Sequence, residues 1–532
     1  MNYAKLAVDN ISKLGDTDIF PFPIENMMFF DRCSSIVKIL IDIEAHFDDW
    51  LAKYPVNVIQ SCVPVGYTGY RWATLIDPIW NAFLLYQVLK ITELIEKERV
   101  SLEKKSVFSY RIKLDEDSGR LFDTETNWRG FYSMALSEAE STDSLFVVRF
   151  DISDFYNRIY HHRLENAIIR IGADPAIKSR IMRILQDISN NDSYGIPVGG
   201  NASRILAELL LNAMDKLMIS KRFRFFRYVD DYILFASNRE DAYQKLNWCV
   251  EYMLRNWGLT LQRSKTQIQT KSEFISHAKA NLEGEDNSEN KERTDFMKIH
   301  IHFDPYSLTA EEDYIKLKDQ LEGFDITSLI KDEIRKSRIH LALGKQLMSA
   351  ILFLDGDKLN LTIKTICANL EVLYPVLPTV MQVLFKKMNE LDSETKIYVT
   401  ETLSQLIEDD SYLFQTENNA SYVVRVLSLI NSDRSIQAID YLYTKTSYIL
   451  VKVNCMFAMA NLNNHYWIAN LKTRFATFTA WERRAFIAAS YFLRDEGKHW
   501  REHTKEQFSE IEIELRDWIS TKDILKGWRI PL

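Results

Sequence analysis

Residues 223–236 read FRFFRYVDDYILFA, two apolar, aromatic-rich runs on either side of the adjacent acids Asp230 and Asp231. Two strand-forming runs so closely spaced predict a hairpin with its carboxylates at the bend. Neighbouring carboxylates repel one another, and a hard divalent cation such as Mg²⁺ relieves that repulsion while keeping open positions for a substrate phosphate. Asp is also a common turn residue, ordinarily solvated. The pair therefore takes its meaning from the segments around it.

Upstream, LFVVRFDISDFYNRIY (145–160) is an apolar strand that meets Asp151 and Asp154 at its C-terminal end. YGIPVGGNASRILAELLLNAMDKLM (194–218) opens from a Pro/Gly loop into a long amphipathic helix, with free backbone N–H groups at the helix's positive end. Beyond the hairpin, Asn238 caps a helix whose stripe is Tyr243, Leu246, Val250, Met253 and Trp257, and Gly258 ends it. GLTLQ then reads as a strand leading to Lys265. Nearer the start, GYTGYRWATLIDPIW (66–80) places glycines before a short strand carrying Arg71. Trp80 to Glu98 has helical spacing, and VFSYRI (107–112) alternates as a strand with Arg111 near its end. Residues 1–60 combine the loop FPFPIEN with a helix-periodic run, Ile36 to Leu51, and carry no evident chemistry.

The 532 residues suffice for two or three domains, and 46% are apolar, which excludes a disordered chain. A formal net charge of −8 does not favour a nonspecific coat for duplex nucleic acid, so contact with phosphate falls to a local basic cleft. Lys97 to Lys113 and Lys216 to Arg227 are the basic stretches able to supply one, or else solvated faces. Cys33, Cys62, Cys249, Cys367 and Cys455 show no CxxC or Cys/His spacing, which argues against a zinc site or a disulfide framework. The first residues lack a signal-peptide pattern and no apolar run is long enough to span a bilayer, so a cytoplasmic protein with no membrane partner is expected.

Phosphoryl transfer is well served by two divalent cations about 4 Å apart, held by carboxylates from separate segments. Asp151 at the end of one strand, with Asp230 and Asp231 at the bend of a hairpin able to lie beside it, form such a set. These segments resemble a reverse transcriptase palm: FDISDFY matches the family's first metal-binding segment, GIPVGG the following loop, YVDD the catalytic hairpin and GLTLQRSK the segment closing the site. YRWATLID resembles the fingers strand whose Arg grips the triphosphate. The resemblance covers roughly residues 65–275. VFSYR, NW followed by GFY, SRILAE and the long helical C-terminal half are most similar to bacterial abortive-infection and defence-associated reverse transcriptases.

The resemblance implies metal binding by Asp151, Asp230, Asp231 and the carbonyl of Ile152, with two Mg²⁺ ions and Mn²⁺ as their substitute. It implies a steric gate at Tyr156 that selects dNTPs, a triphosphate contact at Arg71 and proton donation from Lys265, while Val198 and Gly199 lie in the loop that meets nucleotide or template. Templated members usually carry Gln in the PQG of that loop. Val198 stands in its place and cannot hydrogen-bond. The abortive-infection subgroup makes DNA attached to its own tyrosine, often without a template, and the same is implied here with a single-stranded DNA product. Priming is not assignable among the 25 tyrosines.

The expected fold is α+β, a right-hand palm and fingers followed by an all-α, HEAT-like helical-repeat domain. Its expected divisions are a helical extension (1–60), fingers and palm (61–280), a linker (281–304) and helical repeats (305–532), although no fixed repeat length is visible. The family implies a homo-oligomer, trimer or hexamer, in the bacterial cytoplasm. Two other functions compete with the self-primed polymerase: RNA-templated copying of a bound noncoding RNA, and a catalytically idle nucleotide-binding scaffold. His161 and His162 read as helix-entry surface, and His300 and His302 as structural. Tyr443, Tyr448, Trp467, Trp481 and Trp500 read as core before they read as stacking platforms for single-stranded DNA. WERRAF (481–486) reads either as a DNA contact or as a solvated face.

Overall fold

Val, Ile, Phe and Tyr crowd the segments around the acids, and these segments form the sheet. The computed structural model describes residues 1–15, 17, 19–283, 291–299, 301, 317–321, 323–336 and 338–532, so His300 and His302 and much of the expected linker lie outside the described residues. Strands β1 (Val58–Pro64) and β2 (Tyr70–Ile76) pair with each other. Strands β3 (Phe146–Asp151), β4 (Phe225–Tyr228), β5 (Asp231–Ala236) and β6 (Gln267–Thr270) form a four-stranded antiparallel sheet in the order β4-β5-β3-β6. The chain divides into two compact units. The first comprises Met1–Asp18, Phe29–Val58 and Thr74–Asp286, and the second Ile19–Met28, Ile59–Ala73 and Asn287–Leu532.

The sheet belongs to the first unit. Alternation sends Val147, Phe226, Ile233 and Phe235 to one face, where Phe131, Tyr132, Ala135 and Ala139 of the helix Trp128–Ser141 meet them, with Phe274 and Ala278 of the helix Lys271–Glu283. Each such phenylalanine contributes on the order of 2 kcal/mol by leaving water. On the other face Phe150 stacks on Tyr232 with ring centroids 4.9 Å apart. There the long helix Asn201–Ser220 extends Glu208 and Asp215 to a fully buried Arg227. Arg227 is thus part of the interior, not of a basic face as its place in the Lys216–Arg227 stretch suggested.

The hairpin forms where the sequence predicts it, with one difference. Tyr228 and Asp231 are the closing pair, so Asp230 lies in the two-residue turn and Asp231 is already the first residue of β5. Val229, the first turn residue, has φ +54°. Tight hairpins need positive φ there, and a β-branched side chain meets that demand only with strain.

Several predicted elements come out shorter. Ile36–Leu51 is interrupted at His46, and Trp80–Glu98 breaks into the helices Pro78–Leu89 and Thr92–Glu98. VFSYRI is no strand: Val107 bridges Arg227 and Ile112 bridges Phe122, while Tyr110 between them is left-handed at φ +44°. GLTLQ contributes a single bridge, Leu261 to Ile152. His161 is buried, with Nε2 2.6 Å from the carbonyl of Gly195, and is not helix-entry surface, whereas His162 is exposed as expected.

In the second unit, helices pack on the next helix but one. Ile326–Ile334 meets Gly356–Cys367, which meets Ser393–Glu408, while Leu341–Ile351 meets Leu377–Lys387, which meets Glu417–Leu427. Side-chain caps start many of them, among them Asp392 and Thr416 and the capping boxes at Thr479 and Ser509. Tyr443 and Trp481 are core, Trp500 packs among Phe475, Phe486 and Phe508, and Tyr448 is exposed. Arg483 pairs with Glu512 and Arg484 with the buried Glu25, so WERRAF is not a free basic face. Among the described residues no helix is long and apolar enough to cross a membrane.

Candidate active site

The register of β3 on β5 makes Asp151 the Cα partner of Asp231. Facing residues of antiparallel strands share a sheet face, so both carboxylates leave the same end of the sheet on the same side. Asp230 joins them from the turn, and ligand oxygens of all three lie within 4.8 Å of one another. Burial, then the charges of Asp151 and Asp231, push Asp230 up to about 7. Burial, then Asp151, push Asp231 up to about 6. Three hard oxygen donors gathered so closely, with the ionised forms of Asp230 and Asp231 disfavoured, fit a divalent cation such as Mg²⁺, whose charge offsets that cost.

The next segment is tied to β3 by two backbone bonds, Gln262 N–H to the carbonyl of Asp151 at 2.8 Å and Ser153 N–H to that of Thr260 at 2.8 Å. This bridge does not engage the carbonyl of Ile152, the fourth donor expected. The turn that follows returns Lys265 to the acids, where its ammonium pairs with Asp151. Burial works to lower the Lys265 pKa, but its bond to Asp151 and the acids' charges outweigh it and leave the pKa raised.

Tyr156 lies in the short helix Phe155–Arg158, entered through a left-handed Asp154 at φ +48°. Its carbonyl accepts from Ile196 N–H at 3.0 Å, fastening the Pro/Gly loop beneath it. Burial, then Tyr110 and Asp230, raise its hydroxyl pKa well above the usual value, which places it within electrostatic reach of Asp230. In the loop, Gly195 and Gly199 have φ of +93° and +99°, conformations that glycine adopts without strain. Val198 is half-buried, Gly199 is buried, and the helix Asn201–Ser220 begins just beyond.

The first unit therefore brings together Asp151, Asp230, Asp231, Ile152, Tyr156 and Lys265, with Val198 and Gly199 in the loop fastened to Tyr156. Arg71 is exposed on β2 within the second unit. Sequence reasoning missed two arginines beside the site. Arg149, two before Asp151 and hence on its sheet face, donates to the Tyr132 hydroxyl at 3.1 Å and opposes the upward shift of Asp231. Strand alternation alone could have found it. Arg204 lies 5.3 Å from the centre of the Tyr110 ring. No local pattern announces that contact, because Tyr110 depends on a left-handed turn within an apparent strand.

Residues 102–297 match the family model described as reverse transcriptase (RNA-dependent DNA polymerase). The match spans β3 to β6 and every candidate residue except Arg71. No curated protein matches the chain. Among solved structures, it is similar to telomerase from Candida albicans in complex with the TWJ fragment of telomeric RNA, at 12% identity over 68% of this chain and 70% of that one, TM-score 0.30. It is also similar to telomerase from Candida tropicalis with the TWJ fragment, at 13% identity over 76% and 68%, TM-score 0.31.

Proposed function

We propose that this chain, which carries a reverse transcriptase domain and is thereby a nucleotidyltransferase, synthesises DNA from dNTPs in defence against phage. The observation that carries the chemistry is the convergence of Asp151, Asp230 and Asp231 within 4.8 Å on the β3–β5 ladder and its turn. Two Mg²⁺ ions, or Mn²⁺ in their place, would supply charge neutralisation at the attacking hydroxyl and the triphosphate, held by these carboxylates and the Ile152 carbonyl. Lys265 stays protonated beside Asp151 and gives its proton to the departing pyrophosphate. Tyr156 packs under the sugar and collides with a 2′-hydroxyl. Arg71 neutralises the triphosphate.

Val198 offers the template no side-chain hydrogen bond, which favours synthesis without a template, primed by a tyrosine hydroxyl of the chain so that single-stranded DNA stays attached to it. The helical unit, with its next-but-one packing, serves as a repeat array that assembles a homo-oligomer, trimer or hexamer. Incubating the purified protein with labelled dNTPs and Mg²⁺, then separating it under denaturing conditions, tests this reading. Label migrating with the polypeptide supports self-priming. Absence of incorporation, or equal incorporation by Asp230→Asn, removes the polymerase, and phage protection that survives Asp151→Asn leaves only a scaffold. The family's description as RNA-dependent favours a second reading, templated copying of a bound noncoding RNA, and a product of defined complementary sequence would select it.

A further inference from the structure

Behind the acids lies a network of buried charges. Glu208 Oε1 accepts from Arg227 Nη1 at 3.0 Å and from the Ser109 hydroxyl at 2.5 Å, and its Oε2 accepts from Arg227 Nη2 at 2.8 Å and Arg99 Nη2 at 2.6 Å. Asp215 takes Arg227 Nε at 2.9 Å and Nη2 at 2.7 Å. Glu208, Asp215 and Arg227 are each no more than 1% exposed. Gathering ions in an interior carries a desolvation cost that their attraction must return, and apolar side chains of similar volume often serve stability as well. Stability alone is thus a weak reason for the network, and the reason lies in where its remaining donors point.

Arg227 Nη1 donates to the carbonyl of Val229 at 2.9 Å, and Arg99 Nη1 to the carbonyl of Tyr110 at 2.7 Å. These acceptors are two of the chain's left-handed non-glycine residues, at φ +54° and +44°. A side chain in that region is strained, and the peptide relaxes unless something fixes its carbonyl. Val229 immediately precedes Asp230. The Tyr110 ring centre lies 6.3 Å from that of Tyr228, the residue that closes the Asp230 turn against Asp231, and Tyr110 is within electrostatic reach of the Tyr156 hydroxyl. Backbone bonds complete the clamp, Arg227 N–H to Ser106 at 2.7 Å and Phe108 N–H to Arg227 at 2.9 Å. One carboxylate therefore connects the turn that aims the metal-binding acids with the segment beside the sugar gate.

We propose that Glu208 is a positioning residue, acting through Arg227 on the Asp230 turn and through Arg99 on the Tyr110 wall. The two arms have separable readouts. Arg227→Lys keeps the charge but cannot serve Glu208, Asp215 and the Val229 carbonyl together. It should raise the Mg²⁺ concentration needed for half-maximal incorporation and lower kcat by about 10²-fold. It should also shrink the Mg²⁺-induced rise in melting temperature, a readout independent of turnover, with the KM for dNTP little changed. Arg99→Lys should leave the Mg²⁺ requirement alone and erode the preference for dNTPs over ribonucleotides. Glu208→Gln should do both.

The second arm rests on the sugar-gate role proposed for Tyr156. If Tyr156→Ala leaves the sugar preference unaltered, that role fails by itself and the magnesium arm is judged alone. Folded lysine variants with wild-type Mg²⁺ dependence and sugar preference, or a uniform loss of activity without the split, would overturn the proposal. Should the lysine variants not fold, Val229→Gly leaves every ion pair in place and takes the left-handed turn without strain, so that the turn no longer needs the clamp. The rise in Mg²⁺ requirement caused by Glu208→Gln must then shrink in that background, and an undiminished rise refutes the positioning role.

Discussion

Asp151 and Asp231 face each other as Cα partners where β3 ends and β5 begins, 80 positions apart in the chain. That register, more than the adjacency of Asp230 and Asp231, gathers the carboxylates, and it has a measurable cost. A carboxyl raised by burial and like charge is disfavoured when ionised, so above its folded pKa of about 7 Asp230 holds its charge against the fold. Asp230→Asn should therefore raise the melting temperature of the metal-free protein at pH 8 by a few degrees. It should also abolish the further rise on adding Mg²⁺ and cut incorporation by about 10³-fold or more. Thermal melts with and without Mg²⁺, beside a dNTP incorporation assay, check all three.

Tyr156 yields a prediction about selectivity and not rate. A ring that excludes a single hydroxyl discriminates by about 10²-fold. Tyr156→Ala should let ribonucleotides in by roughly that factor while dNTP incorporation changes little. Parallel kcat/KM measurements with dNTP and NTP decide it, and an unchanged ratio would remove the gate.

The acids, the hairpin and the loop were legible because their signals are local: apolar runs, a polar break, glycines where φ is positive. What escaped depends on contacts distant in sequence. Arg227 sits in a stretch that looks basic and solvent-facing, yet Glu208 and Asp215 lie one helix back on a face that a single amphipathic pattern reads as core. Tyr110 looks like a strand residue because alternation continues through it, and only the arginine holding its carbonyl accounts for the left-handed turn. His161 looked polar and exposed, although its partner is a loop carbonyl 34 residues on.

Lys265 should behave as a proton donor. Its raised pKa keeps it charged through the neutral range, and the loss falls above the lysine range, as pH rises through the folded value. Lys265→Met should lower kcat by about 10²-fold or more. It should also remove the alkaline fall of the rate profile. A nucleotide with a better leaving group than pyrophosphate should recover much of the rate in the variant and change the wild type little. Equal recovery in both would assign Lys265 to binding alone.

In the helical unit, Glu417 is 3% exposed, and among the described residues its Oε1 accepts a single bond, from the backbone N–H of Leu450 at 2.8 Å. Burial pushes it up to about 7 from 4.5. Between those values the folded protein holds a proton that the unfolded chain has lost. Stability therefore falls as pH rises from 4.5 to 7 and carries the full penalty above, on the order of 3 kcal/mol. Glu417→Gln keeps an acceptor without the charge. It should flatten the dependence of melting temperature on pH and stabilise the protein at pH 8, and a slope equal to wild type would contradict the assignment.

Val198 bears on whether the enzyme copies or merely extends. The loop holding it is fixed at both ends, by Ile196 N–H on the Tyr156 carbonyl and by the start of the helix at Asn201, so a substitution there changes the side chain presented more than the backbone presenting it. A valine gives a template base nothing to bond, whereas a glutamine offers both a donor and an acceptor. Val198→Gln should shift synthesis toward dependence on an added RNA or DNA strand, with products whose sequence follows that strand and a yield that falls when it is withheld. Sequencing the products of the two proteins on the same primer and template measures the change. If the wild type already copies the strand faithfully, the valine does not prevent templating, and the RNA-templated reading takes the place of template-free synthesis.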